Sequence, residues 1–310
     1  MELFIQILLL AVGFCMLVKG ADWFVDGSSA VARRFGIPQL VIGLTIVAMG
    51  TSAPEAAVSI TAALKGNADI TIGNIVGSNI LNILIILGLS SLLCNLAVAK
   101  STIRIENPFM IGVTLVLLLL GLDGTISLLD GVILLVLFGV YLAYLFWMAR
   151  KGQEAGEEEA AERSLFRSLA FTAVGLVLIV WGSNVTVDAA TALARIFGMS
   201  ERFIGLTIVA LGTSLPELFT SVNAARKGNA DIAIGNIVGS NIFNILFVVG
   251  LSGLIVPVPF GTGFVMDTWV AIGAAVMLSA FCASKKKLVR WHGVTMLAGY
   301  AAYFAWLLTK

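Results

Sequence analysis

Residues 42–90 read IGLTIVAMGTSAPEAAVSITAALKGNADITIGNIVGSNILNILIILGLS, and residues 204–252 read IGLTIVALGTSLPELFTSVNAARKGNADIAIGNIVGSNIFNILFVVGLS. The two stretches stand 162 residues apart and agree at 36 of 49 positions without a gap. The same register reaches back to Gly20, Asp26, Phe35 and Gly36, which pair with Gly182, Asp188, Phe197 and Gly198. A chain that repeats itself at a fixed register is read as two copies of one structural unit.

Outward from the repeat, the 310-residue chain is 59% hydrophobic and 12% charged, with a mean hydropathy of +1.02. That composition belongs to an integral membrane protein and excludes disorder and a collagen-like fibre. Cys15, Cys94 and Cys282 each sit in an apolar run and read as packing thiols, so a secreted disulfide scaffold is excluded as well. The net charge of +1 leaves no field to recruit nucleic acid. The first apolar run has no basic residue before it and no small-residue cleavage site, which predicts a retained helix.

A helix crossing the bilayer core takes roughly 20 apolar residues. Runs of that size predict ten spans, centred near residues 12, 48, 82, 115, 138, 176, 210, 244, 273 and 299. The expected fold class is therefore an all-α integral membrane protein, with repeats at 1–149 and 165–310 joined by a charged cytoplasmic linker at 150–164 that carries Glu154, Glu157, Glu158 and Glu159. Five spans is an odd number, so the second copy enters the membrane from the opposite face, which is the pattern of inverted-repeat transporters. Fourteen of the 19 Lys and Arg residues fall in loops after odd-numbered spans, which puts both termini outside. Lys65 then lies outside, and Arg226 and Lys227 inside.

Each copy carries G-T-S-x-P-E in its second span, at residues 50–55 and 212–217. A carboxylate in the middle of a membrane helix costs a few kcal/mol or more. No Lys, Arg or His in these motifs can pair with Glu55 or Glu217, so a bound cation is expected. Pro54 and Pro216 lack an N–H and release the carbonyls of Gly50 and Gly212, which are expected to point into the same region. Thr51 and Ser52, like Thr213 and Ser214, are spaced to share a helix face with the glutamate. The third span adds G-S-N-x-x-N, with Ser78 and Asn82, and Ser240 and Asn244, on one face. These are hard oxygen ligands suited to calcium or sodium, and transition metals are disfavoured. Gly73 and Gly77, with Gly235 and Gly239, permit close helix packing.

These paired segments resemble the alpha-repeats of the sodium/calcium exchangers in the cation/calcium exchanger superfamily, and the short linker is similar to that of prokaryotic members. The resemblance implies that Glu55 and Glu217 are the central calcium carboxylates, with Thr51 and Thr213 beside them. It implies that Ser52, Ser214, Ser78 and Ser240, with the carbonyls of Ala48 and Ala210, line flanking sodium sites. Asn82 and Asn244 match the polar position at the middle of the site. Potassium-dependent relatives carry aspartate at the position of Asn244, and proton-coupled relatives carry G-N-x-x-E in place of G-T-S-x-P-E. In the family, the first and sixth spans gate, and their glycines fit sliding past a fixed core.

The expected function is sodium/calcium antiport by alternating access in a prokaryotic plasma (inner) membrane. Calcium and sodium would be transported ions, with no cofactor, and no oligomer is required. The alternatives are a proton-coupled calcium exchanger and a cation channel. An intramembrane enzyme is disfavoured because no HExxH or GxGD pattern is present and the serines have no histidine partner. Asp22, Asp26 and Asp188 read equally as lining a water-filled path or marking the interface. Asp69 and Asp231 read as helix caps, and His292 as a residue at headgroup level.

Overall fold

The computed structural model describes residues 2–155, 164–198 and 210–309. Glu157, Glu158, Glu159, Arg163, Arg202 and the stretch 204–209 of the second motif lie outside the described residues. The described helices are α1 (Glu2–Arg34), α2 (Gln39–Thr51 and Ala53–Leu64), α3 (Ile70–Leu93), α4 (Thr102–Gly121), α5 (Leu128–Ala155) and α6 (Leu165–Ile196). They continue with α7 (Leu215–Arg226, after a turn at Ala210–Gly212), α8 (Ala230–Ile255), α9 (Thr262–Lys285) and α10 (Arg290–Leu307). Seven of these are each long and apolar enough to cross a membrane, and the two halves of α2 together make an eighth. The chain is a multi-pass helical membrane protein.

Burial sorts the helices into layers. The most apolar window of α8 is 94% buried and that of α3 78%, against 17% for α1 and α5. The two G-S-N-x-x-N helices therefore form the centre, and the polar residues they carry are removed from lipid. Two short strand pairs tie the ends of the peripheral helices. β1 (Leu96–Ala97) pairs antiparallel with β4 (Lys287–Leu288), and β2 (Thr125–Ile126) with β3 (Val258–Pro259). Adding 162 to Leu96, and subtracting it from its partner Leu288, gives the observed pair Val258 and Ile126.

Helices α1 and α6 pack antiparallel along most of their length through glycine. A Cβ on Gly27 would lie 2.5 Å from the Thr172 nitrogen, one on Gly175 2.5 Å from the Phe24 nitrogen, and one on Gly13 2.3 Å from Thr186 Oγ1. These glycines lock the two helices to each other instead of presenting a surface that slides past the core. Backbone cannot retreat as a side-chain tip can, so the pair behaves as one body.

His292 is buried. Its Nδ1 accepts the Val289 N–H at 3.2 Å at the start of α10, and its ring stacks on Phe281 at 4.3 Å.

Replacing Gly175 with valine is expected to force α1 and α6 apart and to cost about 1–3 kcal/mol, read as a lower unfolding temperature in detergent. Gly139→Ala, where a Cβ meets nothing within 4 Å, is expected to leave that temperature unchanged.

Candidate cation-binding site

The second helix of each copy is broken where its motif predicts. Helix α2 bends by 49° at Ser52, and Pro54 stands in the first turn of its second half. Ser214 and Pro216 occupy the equivalent places before and in α7. Glu55 and Glu217 consequently lie in the first turn of a half-helix, where unpaired N–H groups and the helix dipole favour negative charge. Both carboxylates are wholly buried.

Their hydroxyl partners come from the opposite copy. Ser52 Oγ donates to Glu217 Oε1 at 2.8 Å, and Ser214 Oγ donates to Glu55 Oε1 at 3.2 Å. Helical spacing had placed each serine beside the glutamate of its own motif, and the bend at Ser52 turns it across the axis instead. Glu55 Oε2 and Glu217 Oε2 have no hydrogen-bond partner among the described residues. Around them Ser214 Oγ is 3.5 Å from Ser78 Oγ, and Ser240 Oγ donates to the Ala48 carbonyl at 3.3 Å. Thr51 donates within reach of the Val47 and Ala48 carbonyls and of Asn236 Oδ1, at 3.1, 3.3 and 3.0 Å. Thr213 contacts Glu55, and Thr51 and Ser240 contact Glu217. Ala210 opens the turn that leads to Gly212.

The released carbonyl of Gly212 does not serve this cluster. It accepts Ser183 Oγ of α6 at 2.7 Å.

The asparagines complete the arrangement through two residues that the sequence reading did not single out. Asn79 Nδ2 donates to the Asn241 carbonyl and Asn241 Nδ2 to the Asn79 carbonyl, both at 3.1 Å. Their side-chain oxygens accept the amides of the site asparagines, Asn82 Nδ2 to Asn241 Oδ1 at 3.0 Å and Asn244 Nδ2 to Asn79 Oδ1 at 3.1 Å. With those donors engaged, Asn82 Oδ1 and Asn244 Oδ1 are buried without a partner among the described residues. Asn82 and Asn244 also open π-helical turns, Asn82–Leu87 and Asn244–Val249, an irregularity frequent at functional sites. Farther out, Asn74 Nδ2 donates to Ser59 Oγ at 3.0 Å and Asn236 Nδ2 to Ser221 Oγ at 2.9 Å. The recurrence of Asn74, Asn79 and Ser59 at the 162-residue offset was the signal that could have found them.

Four buried oxygens, two carboxylate and two amide, thus make no hydrogen bond among the described residues. Such a set is costly to leave unmet, because burying an unpaired polar group costs about 1–3 kcal/mol and a charged one more. Glu106 is also buried and also keeps one oxygen, Oε2, without a partner among the described residues while its Oε1 accepts the Tyr144 hydroxyl, but its counterpart is Thr268, so it stands outside the repeated set.

Among the described residues, two cavities reach the site. A cavity of about 400 Å³ lined by Gly73, Asn74, Ser78, Asp267 and Tyr303 reaches it from the end of α3 that follows Leu64, and one of about 550 Å³ lined by Pro54, Ala57, Asn184, Asp188 and Thr213 reaches Thr213. The equivalents of the first are filled. Tyr141 donates to the Leu44 carbonyl at 3.3 Å, Phe138 packs on Phe243 at 5.9 Å, and Gly235 and Gly239 touch α2, where a Cβ on Gly239 would fall 2.8 Å from Leu44 Cα. Around Gly77, by contrast, a Cβ would meet nothing within 4 Å among the described residues.

The profile of the sodium/calcium exchanger protein family matches residues 5–147 and again residues 167–309. The chain belongs to the sodium/calcium exchanger family. The sodium/calcium exchanger MaX1 of Methanosarcina acetivorans is 31% identical over 96% of this chain and 97% of its own length. The inner membrane protein YrbG of Escherichia coli is 38% identical over 96% of this chain and 95% of its own. Crystals of the sodium-calcium exchanger NCX_Mj soaked with sodium and strontium superpose on this family member with a TM-score of 0.86 at 34% identity, covering 98% of this chain and 99% of that one.

Asn241→Ala removes the acceptor that holds the Asn82 amide. Its expected effect is a 10- to 100-fold weaker calcium affinity, the range typical of lost orienting partners, measured by titrating calcium against thermal stability. An unchanged affinity would mean that the asparagine pair does not orient the site.

Proposed function

We propose that this chain exchanges sodium for calcium across the plasma (inner) membrane of a prokaryote by alternating access. The observation that carries the reading is the set of four buried, donor-free oxygens on Glu55, Glu217, Asn82 and Asn244. Two carboxylates bring a charge of about −2, which one divalent ion neutralises, and calcium accepts six to eight oxygens in a flexible shell. Glu55 and Glu217 are the central calcium ligands, with Thr51 and Thr213 beside them. Sodium occupies flanking positions made by Ser52, Ser240 and the Ala48 carbonyl on one side, and by Ser214, Ser78 and the Ala210 carbonyl on the other. Because both ions draw on the same two carboxylates, occupancy by sodium weakens calcium, and that competition couples the fluxes.

The architecture behind this reading is two inverted repeats of five spans each, 1–149 and 165–310, joined by a linker at 150–164 on the inside, with both termini outside. Its support is the 162-residue relation between the two strand pairs, between the crossed Ser–Glu bonds and between the reciprocal asparagine bonds. One chain contains both halves of the site, so transport requires no second subunit. The chain acts as a carrier and performs no catalysis.

Calcium uptake into sodium-loaded proteoliposomes diluted into sodium-free medium tests this. Uptake is expected for the wild type and is expected to fall to the protein-free background in Glu55→Gln and in Glu217→Gln. Uptake that ignores the sodium gradient and follows an imposed pH gradient would replace sodium coupling with proton coupling. Wild-type activity in either variant would remove that carboxylate from the site.

A further inference from the structure

Helix α1 is held to α7 by charge at one membrane face. Lys227, the residue that ends α7, has its Nζ 2.5 Å from Asp22 Oδ1, 2.6 Å from Asp26 Oδ1 and 3.1 Å from the Asp22 carbonyl. Asp22 and Asp26 are four residues apart on one face of α1, so a single ammonium spans both. Farther along the same contact, Phe14 packs on Phe219 at 6.1 Å.

The 162-residue offset maps Lys227 to Lys65, Asp26 to Asp188 and Asp22 to Asn184. Lys65 ends α2 as Lys227 ends α7, on the face that α2 reaches after crossing the membrane. It continues the helical stripe of Val58 and Thr61, and Val58 lines the open cavity. Asn184 and Asp188 line the same cavity from α6 and are exposed. Among the described residues no carboxylate lies within 4.0 Å of Lys65, and no cation within 4.0 Å of Asp188. The two lysines therefore stand at equivalent places, one clasped and one waiting across a gap.

Because glycine contacts lock α1 to α6, the pair cannot close on α7 and on α2 at once. We infer that Lys227 and Lys65 are positioning residues of the exchange cycle proposed above, latching the α1–α6 pair alternately against α7 and against α2, one latch for each orientation of the ion path. The latches are unequal. Lys227 meets two carboxylates, whereas Lys65 would meet one carboxylate and the Asn184 amide, and the molecule stands in the state of the doubly charged latch. The bias keeps the path open on the side of Lys65 when no ion favours either state.

The test is an accessibility measurement in nanodiscs, which needs no transport. Ala57→Cys places a thiol in the open cavity, in a chain with Cys15 and Cys94 replaced by alanine, and its rate of modification by a charged thiol reagent reads the open fraction. Lys227→Gln is expected to slow modification about two- to fivefold, the range of half-exposed ion pairs, and Lys227→Arg to restore it. Asn184→Asp, which completes the second latch, is expected to slow it as well, while Lys65→Gln and Asp188→Asn hold it at or above the wild-type rate. A cysteine at the equivalent position of the closed face, Phe219→Cys, must respond in the opposite sense, which separates a shifted equilibrium from misfolding. Equal responses to Lys227→Gln and Lys65→Gln, or none, would overturn the latch. Absent calcium flux with this pattern intact would overturn the assigned cargo and leave the latch standing.

Discussion

Two carboxylates sealed inside a membrane bundle, each satisfied on one oxygen only, set the conditions that the rest of the structure meets. Ionised and alone, each would cost more than a bundle of this size can spare. The chain lowers that cost by placing both at the start of a half-helix and by bonding each to a serine hydroxyl from the opposite copy, and on the function proposed above a cation meets the remaining oxygen. The broken helices follow from the same requirement. An unbroken helix would bury its own N–H groups in its ladder and offer the glutamate nothing.

Rigidity around the site comes from amide pairing. An asparagine in hydrocarbon must place both its donors and its acceptor, and Asn79 and Asn241 do so by bonding each other's backbone while accepting from Asn244 and Asn82. This consumes the donors and leaves oxygens facing inward, so the polarity of the cavity is set by bonds outside it. Ordering these side chains before the ion arrives keeps the cost of ordering out of the binding step.

Much of this was legible from the repeat. The buried oxygens of Glu55, Glu217, Asn82 and Asn244 stand in motifs that recur at one offset, and recurrence in a chain this apolar marks residues that lipid contact alone would not preserve. What the sequence did not disclose are contacts between elements far apart in the chain. Helical spacing assigns Ser52 to the face of Glu55, but the 49° bend sends it to Glu217. The freed Gly212 carbonyl was expected at the site and instead accepts Ser183, because Ser183 lies on α6, which no periodicity within α7 can report. The glycines of α1 and α6 announced a close approach without naming the partner. His292 read as a headgroup-level residue from its neighbouring lysines, and its burial and its bond from the Val289 N–H at the start of α10 are contacts that its place in the chain does not reveal.

The degree of identity between the two copies has its own cause. If each half alternates between the closed role and the open one, every midplane position must fit both environments, and no residue there can be optimised for one alone. The polar residues of G-T-S-x-P-E and G-S-N-x-x-N accordingly match one for one, the differences beside them are mostly changes of apolar size such as Ala53 against Leu215 and Leu81 against Phe243, and changes of charge or polarity stand at the ends of the helices: Leu64 against Arg226, Thr61 against Asn223, Asp22 against Asn184. A rim position meets the same leaflet in both states, so it is free to carry charge suited to that leaflet and to set the balance between states. On the latch proposed above, the copies are alike in the carboxylates and asparagines of the site and differ where the orientation is set, so a difference of one carboxylate between Asp22 and Asn184 shifts the equilibrium without touching those residues.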